Sequence, residues 1–310
     1  WLARQWLEDT LPDVHTSHDA LPSPGEATSP PELGPRAYNL LLMASDATGS
    51  RGRRSLDANT DTLLLVKVDE ASRRLEALSI PRDTRVPIEG HGVFKINAAN
   101  AYEGAGLACS TVAKLLEVPV HRHLLVSLQV VRDAVDALGG LDVTVPQRMR
   151  YRDRAGRLSI DLEPGLHHLD GIAVEGYLRF RHDGQGDLGR LQRLKVFLQD
   201  ALPQVATPAT LLKVGALWQA FHGRVETDLS LTDVLKMARW LAQLSEPPLI
   251  SLLPGTDHHL GGLWYWVPDL DRARPLARSV FNLEERGPVQ DSEDPTRQTM
   301  QPGGVDPEGF

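Results

Sequence analysis

Short apolar runs alternate with stretches of helical periodicity along most of this 310-residue chain. Residues 38–43, 63–68 and 75–80 are apolar runs of strand length, and they predict buried strands. Residues 129–138 instead carry their apolar side chains on one stripe, as in a helix that covers a sheet. Strands that alternate with helices predict an α/β fold with three layers, αβα, in which helices flank a central, mostly mixed sheet.

The same patterns continue through the rest of the chain. Further strands are predicted at residues 124–128, 141–145, 249–253 and 263–267, and further helices at 97–116, 191–202, 208–221 and 231–244. Glycines at 104–106 predict a break in the first of these helices. Residues 151–156 predict a polar turn, and a helix from Asp170 is expected to lead into a strand around residues 177–181.

The two ends of the chain differ in composition from its middle. Residues 1–35 contain many Pro, Ser, Thr and His residues without periodicity, and they predict a flexible linker or stalk, with a disordered tail as the alternative. Residues 286–310 have few apolar side chains and predict a disordered C-terminal tail. A single domain is therefore expected within residues 36–285.

The start of the chain, its charge and its cysteine count narrow the class of protein. The chain opens with Trp1, so we expect that an upstream segment, a signal peptide or an anchor helix, was removed. No apolar run approaches the ~18 residues needed to cross a membrane. The net charge of −8 argues against a nucleic-acid binder, which would show a basic surplus. Cys109 is the single cysteine, so no internal disulfide can form.

Arginine is concentrated between residues 177 and 193, against the acidic balance of the whole chain. Arg179 and Arg181 alternate with apolar residues, so both would leave the same side of a strand. Arg190 and Arg193 are three apart, on one face of the first turn of a helix, whose free N–H groups attract anions. A planar guanidinium fits phosphate oxygens two at a time, so the convergence of four arginines predicts an anion site.

Two aspartates within this stretch allow a second interpretation. Asp183 and Asp187 are available for ion pairs with the arginines, and Asp187 is also placed to cap the helix that follows. Four arginines against two aspartates leave positive charge uncompensated, which favours the anion site.

Two further aspartates stand where predicted strands end and begin. Asp46 follows the run at 38–43 and Asp61 precedes the run at 63–68, so both carboxylates can reach one site if these strands pair. Two carboxylates with open positions for phosphate oxygens suit Mg²⁺. Loop aspartates more often cap turns, and the residues alone leave both interpretations open. Arg82 follows Pro81 at the tip of the strand at 75–80.

Six short motifs stand in order along the chain. They are SIPRDT (79–84), KINAA (95–99), VDALGGLDVTVP (135–146), LDG (169–171), RFR (179–181) and DLGRxxR (187–193). Together they resemble the LytR–CpsA–Psr family, over roughly residues 36–285.

The resemblance implies a bacterial transferase on the extracytoplasmic face of the cell membrane, anchored through a removed N-terminal segment. Members of this family take a glycopolymer from a polyprenyl-pyrophosphate carrier and attach it to peptidoglycan through a phosphodiester. They use Mg²⁺, and a hydrophobic groove holds the lipid. Apolar residues between 112 and 135 are candidates for lining that groove, although such stripes equally suit an ordinary core.

Carried over by motif, the resemblance also implies roles for single residues. Asp46 and Asp61 are the implied metal ligands and, with Arg82, the implied catalytic residues. The implied substrate-binding residues are Arg179, Arg181, Arg190, Arg193, Lys95 and Asn97. Asp83 and Asp187 are candidates for a general base, unless each only orients an arginine.

Two positions depart from the family pattern. Asn59 stands where the family often has Arg, and Leu194 stands where it usually has Gln, directly after the last Arg of the motif. Gln192 is no replacement, because two positions on a helix turn a side chain about 200° away. The site is therefore expected to lose one or two hydrogen bonds to pyrophosphate, each worth about 1.5–3 kcal/mol when charge-assisted.

These departures keep two alternatives to the transferase open. One is a non-catalytic binder of polyprenyl-pyrophosphate-linked glycans, and the other is a pyrophosphatase in which water replaces the sugar hydroxyl. A transcription regulator is disfavoured by the net charge of −8 and by the lack of a helix-turn-helix pattern.

Overall fold

The computed structural model describes residues 37–45, 56, 58–153, 158–180, 186–205, 207, 210 and 225–281. The predicted linker at 1–35, the predicted tail at 286–310 and most of the predicted helix at 208–221 lie outside these residues. The strands of the described part are β1 (Ala37–Ser45), β2 (Thr60–Asp69), β3 (Glu76–Ile80), β4 (Arg85–Ile88), β5 (Gly92–Lys95), β6 (Arg122–Ser127), β7 (Leu141–Val145), β8 (Met149–Asp153), β9 (Leu158–Leu162), β10 (Gly165–Leu169), β11 (Val225–Thr227), β12 (Leu249–Leu252), β13 (Gly255–Leu260) and β14 (Leu263–Pro268). Its helices are α1 (Ala98–Leu116), α2 (Leu128–Leu138), α3 (Gly171–Arg179), α4 (Gly186–Val205), α5 (Leu231–Leu241) and α6 (Leu270–Phe281).

A six-stranded sheet forms the centre, in the order β11–β6–β1–β2–β3–β12. β1 runs antiparallel to β2 and parallel to β6. β3 pairs antiparallel with β2 and parallel with β12, and β11 is antiparallel to β6. The predicted central mixed sheet is therefore confirmed.

Helices cover both faces of this sheet, which explains the continuous apolar runs of β1 and β2. Leu41 lies in a core cluster with residues of α1 and α6. Its neighbour Leu40 points to the other face, where it belongs to a cluster with Leu191 of α4 and Trp240 of α5. The predicted three-layer αβα arrangement is thus confirmed.

A third core cluster joins β7, β8, β9 and β10 to α2, α3 and α4. Ser127 caps α2, because its hydroxyl accepts a hydrogen bond from the Val130 N–H at 3.3 Å. α3 begins at Gly171, where a Cβ atom would overlap the Arg132 carbonyl of α2. The close approach of these two helices therefore requires glycine.

The strand predicted around residues 177–181 is wrong, because the chain is helical through Arg179, the last residue of α3. Asp170 caps this helix by accepting a hydrogen bond from the Ala173 N–H at 2.8 Å. Val174 and Tyr177 are three apart and both fully buried, which is the spacing of a helix. Arg179 therefore does not leave one side of a strand together with Arg181, which lies outside the described residues.

Several other elements differ from those predicted. The polar turn at 151–156 instead includes the end of β8, which pairs with β9 as a hairpin. The predicted break in α1 is confirmed, with non-helical backbone at Glu103 and Gly104. The elements β4, β5, β9, β10, β11, β13 and α6 have no counterpart among the predicted elements. No helix in the described part is long and apolar enough to cross a membrane.

Candidate active site

Antiparallel pairing of β1 and β2 sets the end of one strand beside the start of the other. Ser45 pairs with Thr60, and Asp61 follows. The loop before β2 is held by Asn100 of α1, whose amide donates to two loop carbonyls at 2.7 and 2.8 Å. The strand pairing on which the two-aspartate hypothesis depends is therefore present, although Asp46 lies outside the described residues.

Arg82 follows the end of β3 and contacts Asp61 directly. Its Nη1 donates to Asp61 Oδ1 at 2.5 Å. Its Nε lies 3.6 Å from Oδ2 of Asp83, whose Oδ1 lies 2.7 Å from Nζ of Lys95. The side chains of Asp61, Arg82, Asp83 and Lys95 therefore form a continuous series of ion pairs, in which negative and positive groups alternate. All four side chains are 21–33% exposed, so solvent and ligands can reach them.

Asn97 holds the backbone around Arg82. The Asn97 N–H donates to the Arg82 carbonyl at 3.2 Å, and the Asn97 carbonyl accepts from the Thr60 N–H at 3.2 Å. Asn97 is buried and precedes α1, so its position is fixed by the start of that helix. It joins the beginning of β2 to the loop that carries Arg82.

β14 supports the same loop from the C-terminal part of the chain. The Trp266 N–H donates to the Asp83 carbonyl at 3.0 Å. The Nζ of Lys95 lies 5.6 Å from the centre of the Tyr265 ring, which is a cation–π contact. Lys95 is thus held between a carboxylate and an aromatic ring.

Arg190 of α4 reaches this region from a different element. Its Nη2 donates to Thr62 Oγ1 at 2.5 Å, one residue from Asp61. A cleft of about 350 Å³, counting its open mouth, lies between these groups. Its polar side is formed by Asp61, Thr62, Arg82 and Arg190, and its apolar side by Leu63, Ile80, Leu191, Leu194 and Leu252.

The charges that line the cleft suit an anion. Two guanidinium groups, Arg82 and Arg190, line the cleft with one carboxylate, Asp61, so the lining has a net positive charge in a chain of net charge −8. Guanidinium groups bind phosphate oxygens through paired hydrogen bonds. The apolar side of the same cleft offers a surface to a hydrocarbon group next to that anion.

The structure does not bring Arg179 and Arg193 into the lining of this cleft. Arg179 donates from Nη1 to Oε1 of Glu175, one helical turn away, at 2.8 Å. Arg193 is 3% exposed, and its Nη2 donates to the Phe180 carbonyl. Burial raises the pKa of Tyr177 to about 12, so its hydroxyl stays protonated; it donates to the Thr144 carbonyl at 3.1 Å and lies 3.4 Å from the Arg193 carbonyl. Arg193 therefore braces the chain between α3 and α4.

Comparison with known proteins decides the family. Residues 16–280 match the model described as the LytR_cpsA_psr family. The chain belongs to this family. The resemblance drawn from the six sequence motifs is therefore confirmed.

Relatives within the LytR–CpsA–Psr family are similar in sequence and in fold. The chain is 27% identical to TagV of Bacillus subtilis, over 88% of this chain and 72% of that protein, and 30% identical to TagU of Bacillus cereus, over 74% of each. Both are named polyisoprenyl-teichoic acid–peptidoglycan teichoic acid transferases. The crystal structure of B. subtilis TagV superposes with a TM-score of 0.66 at 25% identity, covering 80% of this chain and 98% of that one. A structure of TagT bound to LI-WTA superposes with a TM-score of 0.64 at 25% identity, covering 83% and 95%.

One of the two departures from the family pattern lies in the cleft itself. Leu194 lines it, one helical turn after Arg190. Gln192 is exposed, as expected for a residue on another face of α4. Asn59 is exposed, directly before β2. The cleft of this LytR–CpsA–Psr protein therefore has an apolar side chain at a position where the sequence resemblance predicts an amide.

The structure adds residues to the site that the sequence motifs do not identify. Thr62 binds Arg190, and Tyr265 and Trp266 support the loop that carries Arg82. Thr62 could have been found from the sequence, because it directly follows Asp61, a predicted metal ligand. Tyr265 and Trp266 come from a distant part of the chain, and no local spacing connects them with the loop at 81–84.

The residues of the cleft fit a magnesium ion without forming a complete metal cage. No group of three or more His, Cys, Asp or Glu side chains that could hold a metal occurs in the described ranges. Mg²⁺ keeps several waters and binds through one or two carboxylates together with substrate phosphates. The partly exposed Asp61, in a cleft with two arginines, meets that requirement.

Proposed function

We propose that this protein transfers a glycopolymer from a polyprenyl-pyrophosphate carrier to peptidoglycan, on the extracytoplasmic face of the cell membrane. The observation that carries the proposal is the cleft lined by Arg82, bonded to Asp61, and by Arg190, bonded to Thr62, together with apolar side chains. The names of the relatives TagU and TagV support the same classes of donor and acceptor.

The reaction is a phosphoryl transfer. A hydroxyl of the acceptor attacks the phosphorus next to the glycopolymer, and a new P–O bond forms. The bond from that phosphorus to the bridging oxygen breaks, the carrier leaves as polyprenyl phosphate, and the hydroxyl proton passes to water. Arg82 and Arg190 bind the pyrophosphate and stabilise the charge that develops on the leaving phosphate.

Asp83 acts in this proposal as a positioning residue. One of its oxygens faces Lys95 at 2.7 Å and the other faces Arg82 at 3.6 Å. This carboxylate therefore holds Lys95 and aims the Arg82 guanidinium.

Mg²⁺ is the proposed cofactor, with Asp61 and Asp46 as its protein ligands. When bound, it neutralises pyrophosphate charge and thereby assists departure of the lipid phosphate. Arg181, which lies outside the described residues, remains a proposed pyrophosphate ligand together with Arg190.

A non-catalytic binder of the same lipid-linked glycans is the second candidate function. Leu194 favours it, because this side chain offers no hydrogen bond in the cleft. A binder would keep the arginines and the apolar wall but would need no metal-dependent step.

Replacing Asp61 separates the two candidates. Asp61→Asn keeps the size of the side chain and removes the charge that a hard cation requires. Mg²⁺-dependent transfer of a lipid-linked glycan to a peptidoglycan fragment, followed by mass spectrometry, is expected to fall at least 100-fold, while binding of the lipid is partly retained through the arginines. The matched control, Asp161→Asn, removes an exposed carboxylate that pairs with Arg148 and should leave transfer unchanged.

The wild-type protein provides the decisive comparison in the same assay. If it binds the donor but forms no Mg²⁺-dependent product with any acceptor, the binder replaces the transferase. Release of free glycopolymer phosphate into water would instead support the pyrophosphatase.

A further inference from the structure

The hairpin of β13 and β14 has a solvent-exposed tip. Every residue from 256 to 264 is exposed. Three of them are large and apolar: Leu260 is 41% exposed, Leu263 is 45% exposed and Trp264 is 62% exposed. Leu260 and Leu263 are paired directly at the turn, and Trp264 is paired with His259 in the next position. We call Leu260, Leu263 and Trp264 the apolar tip.

The apolar tip is also free of formal charge. Residues 258–268 contain no Asp, Glu, Lys or Arg, although 24% of the residues of the chain are charged. The polar side chains next to the tip are His258 and His259. A partner with a charged surface would find no complementary charge here, whereas the boundary between lipid headgroups and acyl chains accepts Leu and prefers Trp.

The base of the hairpin is fixed to the candidate active site. Trp266 forms a parallel bridge with Thr84, so the residues before them, Tyr265 and Asp83, lie on the same side of the bridge. The contact of Lys95 with both Asp83 and Tyr265 agrees with this arrangement. The apolar tip therefore extends from the side of the bridge on which the Arg82 loop lies.

We propose that the apolar tip inserts into the surface of a lipid bilayer and thereby presents the cleft to a donor whose lipid lies in that bilayer. Presentation of the cleft to the donor rests on the proposed function, since only a lipid-linked donor requires the cleft to work at a fixed height above a membrane. Insertion of the tip into the bilayer follows from the tip alone.

Two other occupants fit the apolar tip less well. Three half-exposed side chains offer on the order of 300 Å² of apolar surface, which is well below the roughly 800 Å² per partner of a stable protein–protein interface. A second copy of the chain would therefore gain too little here. A glycan stacks on a flat aromatic ring and bonds to polar groups around it; His259 supplies one beside Trp264, but Leu260 and Leu263, the other two members of the tip, supply none.

Vesicle flotation tests the proposal with the full 310-residue chain. The probes are vesicles of phosphatidylcholine, and vesicles with added phosphatidylglycerol, both without polyprenyl lipid. The double variant Leu263→Ser/Trp264→Ser is expected to bind at least tenfold more weakly than wild type, and Trp264→Phe should keep most of the binding. The control, Leu166→Ser/Ile172→Ser, removes two apolar side chains that are 70% and 52% exposed elsewhere, and it should bind like wild type.

The proposal is overturned if the tip variant floats like wild type, or if the control loses as much binding as the tip variant. It is also overturned if the tip residues are needed for sedimentation with insoluble peptidoglycan and not for flotation with vesicles. Unchanged thermal unfolding of the exposed-site variants will show that each one is folded.

Turnover with two donors separates this proposal from the proposed function. With a donor embedded in vesicles, the tip variant should work at least tenfold more slowly than wild type. With a short-chain donor in solution, the two proteins should be equal. If neither protein turns over either donor, the proposed function fails, while the flotation result still decides whether the tip binds lipid.

Discussion

Leu194 lies in the cleft at one of the two positions where the sequence departs from the family pattern. It lines the cleft one helical turn from Arg190, so a longer polar side chain at this position would face the bound anion. We predict that Leu194→Gln tightens binding of a polyprenyl pyrophosphate at least about tenfold in titration calorimetry, because one charge-assisted hydrogen bond is worth about 1.5–3 kcal/mol.

A matched change on the opposite face of α4 controls for general effects on that helix. Gln192 is exposed, so Gln192→Leu should leave the affinity unchanged. Equal or weaker binding by Leu194→Gln would mean that the pyrophosphate does not occupy this part of the cleft.

Among single residues, the sequence predicts those that stand at the ends of secondary-structure elements. Asp61 and Arg82 flank apolar runs, and the structure joins them at 2.5 Å. Arg190 was predicted from its place at the start of a helix, and it lines the same cleft. Tyr265 could not be predicted, because its contact with Lys95 depends on how two distant segments pack.

Among the secondary-structure elements, α3 shows how a local pattern can mislead. Arg179 and its neighbours alternate between charged and apolar, which imitates the period of a strand. The helix instead follows from the Asp170 cap and from burial of Val174 and Tyr177 at a spacing of three. The longer apolar runs of β1, β2 and β3 were predicted correctly, because burial on both faces leaves little ambiguity.

The cap of α3 can be tested directly. The Asp170 carboxylate accepts a hydrogen bond from the Ala173 N–H at 2.8 Å. We predict that Asp170→Ala lowers the free energy of unfolding by about 1 kcal/mol, the usual worth of a cap, in urea denaturation. Asp170→Asn keeps an accepting oxygen and should lose much less. Equal losses in both variants would assign the effect to charge and not to capping.

For the whole molecule, the fold class follows from the sequence while the closure of the domain does not. The alternation of strands and helices predicts three layers, and the structure has them. No sequence pattern predicts the contacts between β1 and α6. Asn39 of β1 makes one, donating from Nδ2 to the Phe281 carbonyl at the end of α6, at 2.8 Å and across 242 residues.

Asn39 therefore provides a test of how the chain is closed. Its side chain is fully buried and donates to a second carbonyl, that of Pro119, at 2.8 Å. Asn39→Ala would leave the Phe281 carbonyl buried without its donor, which costs about 1–3 kcal/mol, whereas Pro119 is exposed and water can reach its carbonyl. We predict that the free energy of unfolding falls by about 1–3 kcal/mol in urea denaturation.

Activity should respond differently from stability. Asn39 and Ser45 are six residues apart on β1, which places Asn39 roughly 20 Å along the strand from the end that borders Asp61. Turnover per folded molecule should therefore stay at the wild-type level below the unfolding transition. Ser279→Ala, which removes an exposed hydrogen bond to the Leu276 carbonyl of α6, should change stability by less than about 0.5 kcal/mol. A loss below about 1 kcal/mol for Asn39→Ala would show that this contact does not hold the domain closed. A fall in turnover with the fold intact would show that the contact also affects the cleft.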